Sequence, residues 1–171
     1  MGTASTGDGV IPRACRDLFD NIQSRCDGNA EVKISYLEIY NEEIRDLQAP
    51  KDKPKKLVIR ENLKHEIYVS GLEAKIVKNP KEIETAMTEA GSRRVVAATK
   101  MNASSSRSHA IAILFFKGVL EDGTEVESKL TFVDLAGSEK IAKTGAEGMR
   151  RAEGININQG RRLVTWLEST I

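Results

Sequence analysis

Apolar residues recur along this chain in two periods. Ile11, Cys15, Leu18, Phe19 and Ile22 fall at the three- and four-residue spacing of a helix, with Pro12 tolerated in its first turn. From 31 to 40 the period drops to two: Val32, Ile34, Tyr36 and Glu38 share one side, and Lys33, Ser35, Leu37 and Ile39 the other. β-Branched and aromatic residues dominate that run, which predicts a strand. Shorter strands are predicted at 57–60, 67–69 and 74–77. Asn79-Pro80 then reads as a helix N-cap followed by the first helical residue. Ile83, Ala86, Met87 and Ala90 give that helix a buried stripe, ending at Gly91 or an Arg-rich turn later. Residues 109–120 and 126–133 are strands joined by Glu121-Asp122-Gly123-Thr124, whose Asp-Gly tip is a strong hairpin signal. The segment 49–56 is a Pro/Lys-rich surface loop, 137–152 a polar loop and 153–171 a helix. Strands mixed with helices point to an α/β sheet covered on both faces.

Composition places this pattern in one domain. A chain of 171 residues can bury a sizeable core, and 40% hydrophobic with 30% charged residues argues against disorder and against a membrane protein. No apolar run approaches the ~18 residues of a spanning helix, and the first residues lack the regions of a signal peptide. Cys15 and Cys26 are too few for a disulfide framework and fit no standard zinc spacing, so an intracellular setting is expected. The net charge of +1 hides an uneven distribution. Residues 1–50 carry five basic and nine acidic side chains, 51–64 six and two, and 129–162 seven and four. Two separated basic segments can mark a face for an acidic partner, or simply a solvated surface.

Two segments carry candidate chemistry. In 130–139, LTFVDLAGSE, an apolar strand runs into Asp134, with Gly137 three residues on and then Glu139. A carboxylate at the C-terminal end of a buried strand stands where open α/β sheets bind ligands. The D-x-x-G spacing lets a glycine N–H approach a terminal phosphate; it also suits a plain turn. In 102–109, NASSSRSH, hydroxyls, an arginine and a histidine precede a strand. Hydroxyl oxygens suit Mg²⁺ and a guanidinium suits phosphate or a carboxylate, while serine clusters are also ordinary loops. A serine nucleophile with His109 as base is a further option, without the G-x-S-x-G elbow that would support it. A GTPase-like switch is another, without a guanine-reading N-K-x-D.

Together, the two segments resemble the switch I and switch II pair of the kinesin motor domain. SYLEIYNEEIRDL at 35–47, VSGL at 69–72, VAATKMN at 96–102, KTGAEG at 143–148 and EGININ at 153–158 are similar to kinesin segments in kinesin order, as is GVIPR at 9–13. The likeness covers the chain to about residue 160, and EGININQG with VKISYLEIYNEEI leans towards the chromokinesin group. It implies a P-loop NTPase-like motor fold, with a mixed central sheet and helices on both faces, present incompletely over residues 1–171. It also implies ATP and Mg²⁺ as cofactors of the complete domain and the microtubule as partner, in a cytoplasmic, cytoskeletal setting. No membrane or nucleic-acid partner is implied, and dimerisation would come from segments outside this chain.

Residue by residue, the resemblance makes Ser106 an Mg²⁺ ligand and Ser105 a holder of the attacking water. Arg107 would form a latch with Glu139. Asp134 would orient the magnesium water shell, Gly137 would offer its N–H to the γ-phosphate, and Asn102 would line the nucleotide pocket. Arg60, Lys64, Lys140, Lys143, Arg150 and Arg151 would face the acidic track.

Two departures stand against the family pattern. The sequence contains no G-x-x-x-x-G-K-S/T and no Gly-Lys dipeptide, so the family's phosphate-cradling loop is expected upstream of Met1. After Gly160, Arg161-Arg162-Leu163-Val164-Thr165-Trp166 replaces an apolar run. The sequence therefore predicts part of an ATP-driven microtubule motor that is inactive as an ATPase alone. The alternative is a nucleotide-independent microtubule-binding or regulatory module.

Overall fold

The computed structural model describes residues 9–40, 43–50, 56–63, 67–101 and 108–136. In chain order these form α1 (Val10–Cys26), β1 (Ala30–Tyr40), β2 (Glu43–Asp46), β3 (Val58–Glu61), β4 (Ile67–Ser70), β5 (Lys75–Val77), α2 (Pro80–Met101), β6 (His109–Val119) and β7 (Glu125–Asp134). The predicted helix at 11–22, the strands and the hairpin all form. The predicted loop at 137–152 and helix at 153–171 lie outside the described residues.

β1 is the centre of the sheet. β6 runs along one edge of it and β7 lies beyond, while β5 and β2 share the other edge, opposite Val32–Ile34 and Leu37–Tyr40 respectively. The ladders among the described residues are antiparallel. β3 and β4 form a separate two-stranded ribbon.

Alternation along β1 decides what covers each face. Val32, Ile34 and Leu114 pack with Ile11, Cys15 and Ile22 of α1 and Ile83 and Ala86 of α2, so both described helices sit on one face. Leu37, Ile39 and Ile111 point to the other, against Ile44 of β2 and Val69 of β4. β1 is therefore buried on both sides from Ile34 to Ile39, which explains why its second face reads apolar too. Burial pushes the Cys15 thiol up to about 11, with Glu84 adding to the rise and Arg16 opposing it; at neutral pH it is an inert core residue.

Helix boundaries follow local chemistry. α1 ends where Asp27 turns left-handed at φ 47° and Gly28 follows at φ 72°, its N–H donating to the Ile22 carbonyl at 3.3 Å. α2 opens on a capping box. Asn79 Oδ1 accepts the Glu82 N–H at 3.0 Å, and Glu82 reaches back to the Lys78 N–H at 2.8 Å. Gly91 does not end α2. The helix runs on to Met101, and two arginines just past Gly91 are bonded to other parts of the molecule. Arg93 donates to the Leu47 carbonyl at 2.9 Å, and Arg94 donates to Ser108 and Asp134, tertiary bonds that outweigh the ~1 kcal/mol cost of a mid-helix glycine. No helix among the described residues is long and apolar enough to cross a membrane.

Packing depth predicts a contrast between two isoleucines. Ile34→Ala, in the fully buried centre of β1, lowers stability by about 2–5 kcal/mol. Ile76→Ala, 58% exposed on the neighbouring strand, changes it by less than about 1 kcal/mol. Urea titrations of the two variants measure the difference, and equal losses would contradict this packing.

Candidate functional site

The last residues of β7 and the first of β6 lie at the same end of the sheet, because Ala110 pairs with Asp134 across the ladder. β1 ends nearby, with Glu38 paired to Ala110 on its other side. Strand alternation puts Glu38, Asp134 and Tyr36 on the face that α2 covers. Successive turns of α2 bring Ile83, Ala86, Ala90 and then Arg94 over that face.

Arg94 is the hub. Its Nη1 donates to Asp134 Oδ2 at 3.2 Å, its Nη2 to the Ser108 carbonyl at 2.9 Å and to Ser108 Oγ at 3.1 Å. Its Nε lies 3.4 Å from Glu38 Oε1 and 3.3 Å from Ser108 Oγ. A guanidinium fits because it is planar and presents several donors at fixed angles; an ammonium could not meet three partners in this way. The side chains grade outwards, from Glu38 at 6% exposed through Arg94 at 13% to Asp134 at 41%. Glu38 is thus the buried counter-charge, and Asp134 the carboxylate that still meets solvent. Burial also raises the Tyr36 hydroxyl above its ordinary range; Arg94 pulls it down, and Asp134 and Glu38 push it up. Tyr36 is neutral in this setting and keeps its proton.

A second tie joins the same chain ends from the opposite face. His109 Nδ1 accepts the Ala136 N–H at 3.0 Å. With that lone pair engaged, the imidazole proton of the neutral ring sits on Nε2, a tautomer assigned from the hydrogen bond. Such a ring has no free lone pair to take a proton from a serine, which removes the support for a serine nucleophile with His109 as base.

Of the residues singled out in the sequence, Asp134 stands at the C-terminal end of its strand as expected. Arg60 lies in β3, opposite Tyr68, on an exposed stretch well removed in sequence from the hub. Asn102, Ser105, Ser106, Arg107, Gly137, Glu139, Lys64, Lys140, Lys143, Arg150 and Arg151 lie outside the described residues. Two members of the hub, Arg94 and Glu38, were not picked out as candidates, and Ser108 fell within the candidate segment 102–109 without a role of its own. Both charged ones carried a signal. Arg94 falls four positions after Ala90 on the buried stripe, and Glu38 interrupts the apolar side of β1. A charge on a buried face needs a partner, and each was the other's.

A groove of about 750 Å³ lies on the other face of the sheet, lined by Ile111, Ile113, Phe115 and Val133 with Tyr68 and Val69 of the ribbon. Neither Arg94 nor Asp134 lines it, so this groove and the charged cluster are separate features. No cluster of three or more metal-ligating side chains occurs among the described residues.

Residues 1–166 match the family model for the kinesin motor domain. The chain is 46% identical over 158 residues to Kinesin-related protein 5 of Dictyostelium discoideum, covering 91% of this chain and 16% of that protein. It is 46% identical over 166 residues to human Kinesin-like protein KIF13B (93% and 9%) and 44% over 169 residues to human Chromosome-associated kinesin KIF4A (94% and 14%). Those last two identities are nearly equal and do not single out the chromokinesin branch. Among solved structures, a fast kinesin superposes with TM-score 0.77 at 40% identity, over 90% of this chain and 45% of that one. A KIF14 dimer with AMP-PNP in complex with a microtubule superposes at 0.72 and 31%, over 91% and 46%. The chain thus spans less than half of the solved motors it matches and a smaller share of the curated relatives.

The hub predicts an asymmetry between its carboxylates. Arg94→Met keeps the apolar stem but strands buried Glu38, and costs about 3–5 kcal/mol in urea titration. Asp134→Asn, at the solvent-facing end, costs less than about 1.5 kcal/mol. A loss on Asp134→Asn as large as that on Arg94→Met would show that Asp134, not Glu38, is the buried counter-charge.

Proposed function

This chain belongs to the kinesin motor-domain family, and on that premise we propose that it is the phosphate-sensing and track-reading part of an ATP-driven microtubule motor. The observation that carries the reading is Arg94 joining Asp134 to Ser108. One guanidinium fixes the strand end that leads into DLAGSE and the residue that follows NASSSR. Two loops rooted on one rigid point can respond together to a ligand between them, as a two-state switch requires.

The donor chemistry suits a magnesium nucleotide. Asp134 is held by Arg94 yet stays 41% exposed, so its carboxylate can reach the water shell of a hard cation. Ser106 would supply a hydroxyl ligand, Asn102 would line the pocket, and Gly137 would offer an N–H to the terminal phosphate. Ser105 would orient a water, and Arg107 would pair with Glu139. Mg²⁺, when bound, neutralises charge on the phosphate oxygens. The sequence has no G-x-x-x-x-G-K-S/T, so this chain by itself does not supply the lysine and backbone cradle that hold the β- and γ-phosphates.

Arg60, Lys64, Lys140, Lys143, Arg150 and Arg151 form the basic set for an acidic track. The exposed position of Arg60 on the ribbon supports its membership. The same observation favours a second reading, a module that binds microtubules without regard to nucleotide. Under either reading the chain works on microtubules in the cytoplasm, and pairing into dimers would rest on other segments.

Three measurements test these readings. The purified 171-residue chain shows no microtubule-stimulated phosphate release; measurable turnover would overturn the assignment of phosphate holding to a loop this sequence lacks. The chain pellets with microtubules at low salt, and the bound fraction falls as salt rises. Arg60→Glu weakens pelleting by roughly 1.5–5-fold, the scale of one exposed ion pair. Pelleting that changes with added nucleotide removes the second reading, and no pelleting at low salt removes both.

A further inference from the structure

His109 opens β6 and is 1% exposed, with its backbone held in the ladder to Ile39 of β1. Strand alternation turns its ring to the face of Ile39 and Ile111, opposite the face on which Arg94 sits. The β6–β7 ladder ends at the pair Ala110 and Asp134. The bond from the Ala136 N–H to His109 Nδ1 is therefore an extra rung made by a side chain, two residues beyond the last backbone pair. Ala136 is itself 1% exposed, so its N–H has poor access to water as an alternative acceptor.

The position of this rung is informative. His109 comes two residues after Arg107, and Ala136 comes immediately before Gly137. Arg94 ties Ser108 to Asp134 on one face, and His109 ties the next residues along, itself and Ala136, on the other. A junction held from a single face can pivot about that contact. Here the two strand ends are tied from both faces, so Ala136 is held at a defined point.

We propose that His109 is a positioning residue: a tautomer-locked pin that sets where the segment beginning at Gly137 starts relative to the segment ending at Arg107. This rests on the motor reading only for the purpose of the alignment, not for the existence of the pin. The ring acts as an acceptor, so its shape matters less than the location of one lone pair. Asparagine places a carbonyl oxygen near where Nδ1 lies, whereas leucine fills space and accepts nothing.

The test uses the 171-residue chain, which contains two histidines, His65 and His109. Nitrogen-15 spectra of the imidazoles, assigned with His65→Gln, are expected to show His109 with an unprotonated Nδ1 and a protonated Nε2. In hydrogen exchange, His109→Leu is expected to speed the Ala136 amide by on the order of tenfold to a hundredfold and leave Ile111 in mid-strand unchanged; His109→Asn restores Ala136 protection. A proton on Nδ1, an Ala136 amide as fast in the parent chain as in His109→Leu, or an equal rise at Ile111 would each overturn the pin. The tautomer is read on the unmodified chain, so it decides the matter even where His109→Leu does not fold. None of these readouts involves nucleotide or microtubule, and a failed motor assignment would leave them as they are.

Discussion

Glu38 is a carboxylate in the interior of a small sheet, and the surrounding architecture answers it. A buried charge of this kind is tolerated only when an opposite charge and further hydrogen bonds reach it. Arg94 supplies both, and α2 must extend past Gly91 to deliver it. The remaining donors of the same guanidinium are then available to Ser108 and Asp134. An interior requirement at β1 thus places a half-exposed aspartate at the mouth of the sheet. The side chain that satisfies the buried charge at Glu38 is thus the one that holds Asp134 in place.

The two faces of the sheet divide the labour. One carries α1, α2 and the charged hub; the other carries Ile39, Ile111 and Val133 under the ribbon, together with the ring of His109. Because β1 is buried on both sides, a displacement of either face is felt through the same strand. This suits a family whose solved members include one bound to a microtubule.

Much of the fold was legible in the residues because its signals are local. Asn79-Pro80 announced the start of α2, Asp122-Gly123 announced the hairpin, and period-two alternation announced β1. The end of α2, read as Gly91 or one Arg-rich turn later, lies further on at Met101, because the bonds made by Arg93 and Arg94 reach residues distant in sequence, which no window of neighbours contains. The site was legible by half. Asp134 is marked by its place after an apolar strand, and the switch segments by their resemblance. Arg94 and Glu38 were visible only as charges on faces that should be apolar, and reading them as a pair needs the register that brings α2 over the end of β1. Among the proposed nucleotide ligands, Asp134 is read from its strand, and those in 102–107 and 137–139 from the family pattern.

Ser108 and Asp134 are, in sequence terms, the two open ends of a single hairpin. Its tip is Asp122-Gly123, where Gly123 takes φ 84° and Asp122 Oδ1 accepts the Thr124 N–H at 2.9 Å. Ten rungs separate that bend from the hub, yet the bend decides the hub's geometry. A slip of one residue at the tip would carry Asp134 to the opposite side of the sheet, where Arg94 cannot follow. The turn at Gly123 therefore acts as a remote alignment mark: a surface glycine ten rungs away determines on which side of the sheet the Asp134 carboxylate will emerge.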